Sequence, residues 1–302
     1  MKQLFLHVGY PKTGSTTLQK GLFSHHPEIA YLGRPFDDEL LDLEKTILAA
    51  PDGEFTQRLP HLIELVQARV SAAGSSKVLL SHEGFLRSTR HGGHDVLRTA
   101  ERIKRVFAGP EQDGARVKVL VCLRRQQDLF LSHFVQFVRG DQEVLDAEFQ
   151  KLLSEPRDGF ASSLYFDKVL GCFQDLFGDA LEVLLFERLI EEPEAHTRSV
   201  CDWLGVDAEL GSELLVGRHD KRKRRQGEFY LLEARNTLTF RMGALLVGLG
   251  FGNAGRSLKQ KAFLRVALSP SQLEAIGEVY AESNRRAQEG FGLPLEQYGY
   301  SL

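Results

Sequence analysis

Lys12 stands in the middle of GYPKTGSTT (9–17), between two glycines, with three hydroxyl side chains after the second glycine. A loop of this kind that runs into a helix offers unpaired N–H groups, here from about Thr13 to Thr17, to an anion at the positive helix end. Gly14 permits close approach, the hydroxyls of Ser15, Thr16 and Thr17 add neutral donors, and Lys12 adds a point charge at a phosphate. Gly9 and Gly14 have the G-x-x-x-x-G spacing of nucleoside-triphosphate loops, but Ser15-Thr16 replaces the Lys-Ser/Thr that should follow. The plainer alternative is a strand–turn–helix corner whose threonines cap the helix, in which a lysine has little use.

A second set of residues follows the apolar run VKVLVCL (117–123). A magnesium-dependent phosphotransferase would place an aspartate there, whereas this chain has Arg124-Arg125. Paired guanidinium groups repel a metal and attract another anion, and Arg124 can grip a phosphate bidentately. The compound implied carries separate anionic groups and needs no magnesium. Ser132, eight positions after Arg124, reaches the same anion if the chain bends back around Gln126 and Gln127. Ser81, His82 and Glu83 end another apolar run, KVLLS (77–81), where a carboxylate or imidazole suits proton transfer. GRHDKRKRRQG (217–227) holds six Lys/Arg; it is either a solvated charge run or a second phosphate grip, with a nucleic-acid patch the weaker alternative.

These motifs, in this order, carry a family resemblance. PKTGSTTLQ (11–19) resembles the 5′-phosphosulfate loop of sulfotransferases that use 3′-phosphoadenosine 5′-phosphosulfate (PAPS). LRRQQDLFLSHF (123–134) resembles their 3′-phosphate motif, an arginine followed eight positions later by a serine, with Arg125 and Gln126 departing from the commoner Asn-Pro. LLFERLIEEPEAHTRSVCDWLGV (184–206) is similar to their later strand–helix unit. The resemblance implies PAPS as donor, 3′-phosphoadenosine 5′-phosphate as product and no metal. It implies that Lys12 and Thr13 to Thr17 hold the 5′-phosphate, with Lys12 stabilising the leaving phosphate oxygen. Arg124 and Ser132, with Arg218, Lys221 and Arg222 of a closing basic loop, would hold the 3′-phosphate. Relatives use a glutamate or a histidine as base in the region after the second strand. Glu83 is the expected base and His82 its competitor. Leu18 stands where many small-phenol enzymes carry tryptophan, which leans toward glycan or glycolipid acceptors. A magnesium-dependent P-loop kinase and a non-catalytic nucleotide- or glycan-binding protein are the rival readings.

The elements that must position these residues are short aliphatic runs at 4–9, 77–81, 117–123 and 181–187, read as strands buried on both faces. Amphipathic stretches at 61–72, 95–108, 162–177 and 196–206 separate them and read as helices. Strands alternating with helices predict an α/β fold, a parallel sheet of the P-loop type flanked by helices. The loop at 9–17, Ser81 to Glu83 and Arg124-Arg125 each follow a strand, where ligands bind in such sheets. After Gly217 the pattern turns helical, and Ser269-Pro270 caps a last helix to 292.

With 302 residues and 42% apolar content, the chain is expected to form one domain over 1–302, its helical part about 226–302 least defined. A net charge of −3 gives no general attraction to nucleic acid or anionic membrane. Cys122, Cys172 and Cys201 have no C-x-x-C spacing and read as reduced thiols, which points to a cytoplasmic protein. Too few residues precede the loop for a secretory signal, and MGALLVGLGFG (242–252) is too short to span a bilayer. His7 and Trp203 read as packing residues, and HGGH (91–94) as a loop rather than a metal pair.

Overall fold

Parallel strands covered on both faces need apolar side chains on both sides of the pleat, and the aliphatic runs supply them. In the computed structural model, β1 (Gln3–His7), β2 (Ile29–Tyr31), β3 (Lys77–Ser81), β4 (Lys118–Leu123) and β5 (Leu181–Leu185) form one sheet. Its order is β2-β3-β1-β4-β5 and every pairing is parallel. The fold is α/β, a parallel sheet flanked by helices. The described residues are 2–86, 95–108, 117–137, 142–155, 159–215, 225–226, 229–233 and 263–302, with isolated positions between 242 and 253.

These residues divide into two compact units, Met1–Arg125 with Arg157–His219 and Tyr280–Leu302, and Gln126–Pro156 with Asp220–Val279. The first unit holds the sheet. Phe5, Leu79, Leu120, Cys122 and Leu184 point to one face and form a core with Leu18, Leu22 and Phe23. Val200, Cys201, Trp203 and Leu204 of α10 (Pro193–Leu204) complete that core. Leu4 and Leu6 alternate with Phe5 and are equally buried. The helices of this unit include α1 (Ser15–Leu18), α2 (Asp38–Ala49), α3 (Asp52–Ala72), α4 (Val96–Phe107), α8 (Phe166–Phe177), α9 (Phe186–Glu191) and α11 (Ala208–Leu215). A short α7 (Gly159–Ser162) precedes α8. Caps fix several starts: Asp37 accepts from Leu40 N–H at 3.0 Å and Asp95 from Leu97 N–H at 2.9 Å. Because β1, β3 and β4 are parallel neighbours, the chain leaves all three at the carboxyl end of the sheet, where the strand order reverses.

The second unit contains α5 (Gln126–Phe137), α6 (Gln142–Ser154) and an antiparallel sheet, β6 (Arg225–Gln226), β7 (Phe229–Glu233) and β8 (Phe263–Val266), in that order. This corrects the expectation of helix alone after Gly217. FYLLE and FLRV are aromatic- and aliphatic-rich stretches that suit strands. The last helix, α12 (Pro270–Phe291), begins in this unit. Ser269 Oγ accepts from Gln272 N–H at 3.2 Å and Gln272 Oε1 from Ser269 N–H at 2.8 Å, a reciprocal capping box.

Candidate active site

Past β1 the chain stays alongside β4, with Val8 N–H donating to the Leu120 carbonyl at 2.9 Å and Tyr10 N–H to that of Cys122 at 3.3 Å. Gly9 is required here, since a Cβ would lie 2.9 Å from Cys122 Cβ. The loop then turns sharply. Lys12 has a φ of 72°, a left-handed conformation that costs a non-glycine residue about 1–2 kcal/mol. Gly14, at φ 81°, caps α1, and a Cβ on it would come within 2.4 Å of Leu189. Thr13 is buried and its hydroxyl donates to the Tyr10 carbonyl at 2.5 Å. Thr17 N–H is already bonded to the Gly14 carbonyl at 2.8 Å, so it falls out of the expected donor set. The N–H groups of Thr13, Gly14, Ser15 and Thr16 find no acceptor among the described residues. Donors of this kind at a helix start suit an anion.

The second motif meets the first directly. Arg124 is 4% exposed and its Nη1 donates to the Lys12 carbonyl at 2.8 Å. Its guanidinium lies 4.6 Å above the Phe186 ring, and its buried Nε has no acceptor among the described residues. The arginine therefore holds the left-handed turn while keeping donor capacity in reserve. The next backbone N–H, of Arg125, donates to Glu187 Oε1 at 3.0 Å, and Tyr300 O–H donates to Oε2 of the same carboxylate at 2.9 Å. Burial raises the Glu187 pKa against the opposing pull of these donors. Helix α5 already includes Gln126 and Gln127, so the expected bend there is absent and the turn is confined to Arg124 and Arg125. Ser132 is buried on α5, in the second unit. Arg218, Lys221 and Arg222 lie outside the described residues, as does HGGH.

At the end of β3, Ser81 Oγ lies 2.7 Å from His7 Nδ1 and accepts from Gln19 Nε2 at 3.0 Å. This buried network ties β1, β3 and the π-helical turn Gln19–Phe23 beneath the loop. Desolvation, then His196 and His82, lowers the His7 pKa to about 3, so the ring is neutral. His82 is fully buried. Its Nδ1 accepts from Arg34 Nε at 3.3 Å, and its Nε2 is 2.7 Å from Glu44 Oε1 without hydrogen-bond alignment. The rings of Phe36 and Phe85 flank it at 5.2 and 4.8 Å. Glu83 is half-buried and heads the 3₁₀ turn Glu83–Leu86. Its charge is felt by Tyr31, whose phenol is pushed up to about 12, chiefly by burial.

The structure thus brings Lys12, Gly14 and Arg124 together, and seats His82 among Arg34, Glu44 and aromatic rings. Sequence reasoning gave no role to Gln19, Phe186 and Glu187, which lie within the quoted stretches, or to Tyr300, which lies outside them; all four support the loop. Glu187 carries the one readable signal, an acidic residue ending an apolar run.

The sulfotransferase domain family matches residues 2–225. Among solved structures, a sulfotransferase from Alicyclobacillus acidocaldarius is similar in fold, with a TM-score of 0.57 at 16% identity over 99% of each chain. The sulfotransferase domain of the curacin biosynthetic pathway gives 0.40 at 14% identity, covering 96% of this chain and 97% of that one. That of the Synechococcus PCC 7002 olefin synthase gives 0.38 at 17% identity, covering 74% and 78%. No curated protein matches the chain.

Proposed function

The chain belongs to the sulfotransferase domain family, and from that premise we propose that it transfers a sulfuryl group from PAPS to a hydroxyl or amine, the acceptor being a glycan or glycolipid. The observation that carries the reading is the bond between Arg124 and the Lys12 carbonyl. It joins a loop of unpaired N–H groups to a buried cation, as a donor with separate phosphates requires.

In this reading the N–H groups of Thr13 to Thr16 and the nearby hydroxyls, Thr17 included, bind the 5′-phosphate. The Lys12 ammonium stabilises charge on the phosphate oxygen as its bond to sulfur breaks. Arg124, through donors not spent on Lys12, binds the 3′-phosphate with Ser132, Arg218, Lys221 and Arg222. Glu83 takes the acceptor's proton as the new oxygen–sulfur or nitrogen–sulfur bond forms. Support for Glu83 over His82 comes from the partners around the imidazole: both ring nitrogens face Arg34 and Glu44. A base needs a free lone pair and room to move its proton.

The test is thermal protection. 3′-Phosphoadenosine 5′-phosphate without magnesium should stabilise the protein by about 2.7 kcal/mol at a hundred times its dissociation constant. Protection by ATP with magnesium, and none by this compound, would give the site to a kinase instead.

A further inference from the structure

The C-terminal residues after α12 return to the candidate site. Leu295 carbonyl accepts from Tyr300 N–H at 3.1 Å, and Asn284 Nδ2 donates to the Ser301 carbonyl at 2.8 Å, so the segment is a bonded strap. Tyr298 O–H donates to Glu192 at 2.5 Å, anchoring the strap just after α9. Gly299, at φ 73°, leaves room for Arg125, whose Nη1 would lie 3.1 Å from a Cβ there. Tyr300 is 4% exposed, packs edge-on against Phe166 at 6.4 Å, and reaches Glu187 with its hydroxyl. Phe166 in turn packs on Tyr10 at 5.6 Å, within the phosphate loop itself.

Helix α9 links these contacts to both motifs. Phe186 lies under the Arg124 guanidinium, Leu189 fills the space that a side chain at Gly14 would need, and Glu187 accepts the Arg125 N–H. The carboxylate is 5% exposed and flanked by Arg125, with Tyr300 holding its other oxygen. A buried carboxylate that accepts one backbone donor and one phenol fixes the direction of the chain between them.

We propose that Glu187 and Tyr300 are positioning residues for nucleotide binding: the C-terminal strap holds the Glu187 carboxylate, and Glu187 holds the Arg124–Arg125 turn that keeps Lys12 in its left-handed conformation. The inference rests on the nucleotide reading above and gives a role in the site to Glu187 and to Tyr300, the latter far beyond the family-matched stretch. Neither residue touches the nucleotide. Each acts through Arg124.

The experiment compares Tyr300→Phe, Glu187→Gln and Glu187→Ala with the wild type. Calorimetric dissociation constants for 3′-phosphoadenosine 5′-phosphate are measured well below each variant's melting temperature, together with that temperature. Tyr300→Phe removes only a hydroxyl and should weaken the nucleotide roughly tenfold, about the worth of one hydrogen bond to a charged group. Glu187→Gln keeps an oxygen for the Arg125 N–H, so it should lose less affinity than Glu187→Ala. A fall in melting temperature with unchanged dissociation constants in all three folded variants would reduce the strap to a structural clasp and overturn the proposal. A wild type that does not bind the nucleotide would overturn the functional reading, and this inference with it.

Discussion

Arg124→Ala perturbs two things at once, and their separation is measurable. The side chain donates to the Lys12 carbonyl at 2.8 Å and stacks on Phe186 at 4.6 Å. A charged hydrogen bond contributes about 1.5–3 kcal/mol and a cation–π contact about 0.5–2 kcal/mol. Lys12, at φ 72°, would also be free to relax and regain the roughly 1–2 kcal/mol its left-handed conformation costs. The loop would leave its binding conformation in most molecules. Adenosine 5′-phosphate, which uses only the loop, should then bind about tenfold more weakly, or about 1.4 kcal/mol. 3′-Phosphoadenosine 5′-phosphate should lose that factor and a further 10- to 100-fold from its unpaired phosphate. Calorimetry without magnesium measures both, and Arg124→Lys, which keeps the charge but not the fork, serves as a folded control. Unchanged affinity for adenosine 5′-phosphate would refute the role of Arg124 in shaping the loop. Equal losses for both nucleotides would refute its contact with the 3′-phosphate.

Glu83→Gln should leave nucleotide affinity nearly intact while lowering turnover by roughly 10²- to 10⁴-fold, checked by binding and rate measurements on the same preparation. His82→Ala should instead cost about 2–4 kcal/mol of stability in denaturant titrations, because it empties a packed site and strips Glu44 and Arg34 of a partner. Full stability with abolished turnover would make His82 the base. Gly14→Ala should abolish nucleotide binding, since its Cβ would sit 2.4 Å from Leu189 at a φ of 81°; retained binding would show that the loop tolerates that shift. His7, depressed to about 3 in the fold from an ordinary 6.5, binds protons more readily when unfolded. Stability should therefore fall as pH drops from 6.5 toward 3, by about 2 kcal/mol at pH 5 from this residue. Denaturation curves of His7→Gln should show a shallower acid dependence.

Much of the first unit was legible because its strands are buried on both faces. LFLH, KVLLS and KVLVCL are dominated by apolar residues, and no helix of that length fits between their turns. β2 escaped notice as three residues at the sheet edge. The run 181–187 was read as strand to its end, yet β5 stops at Leu185 and Phe186-Glu187 opens α9. Apolar continuity hid the change of element, because Phe186 extends the apolar run while packing on Arg124 rather than on the sheet. The loop at 9–17 could be singled out from local chemistry. Its bond to Arg124 could not, since that contact joins residues 112 positions apart. Tyr300 gave no local signal either; its contact with Glu187 exists only once the chain end has folded back.

The most direct test of the central claim is transfer of radiolabelled sulfur. The wild type and Lys12→Ala are each incubated with PAPS labelled in the sulfuryl group and a polysaccharide and glycolipid extract of the source organism. The account predicts label in a glycan or glycolipid product with the wild type and loss of that product with Lys12→Ala. A wild type that binds the donor tightly yet labels no acceptor in any fraction would contradict it, leaving a nucleotide-binding protein rather than an enzyme.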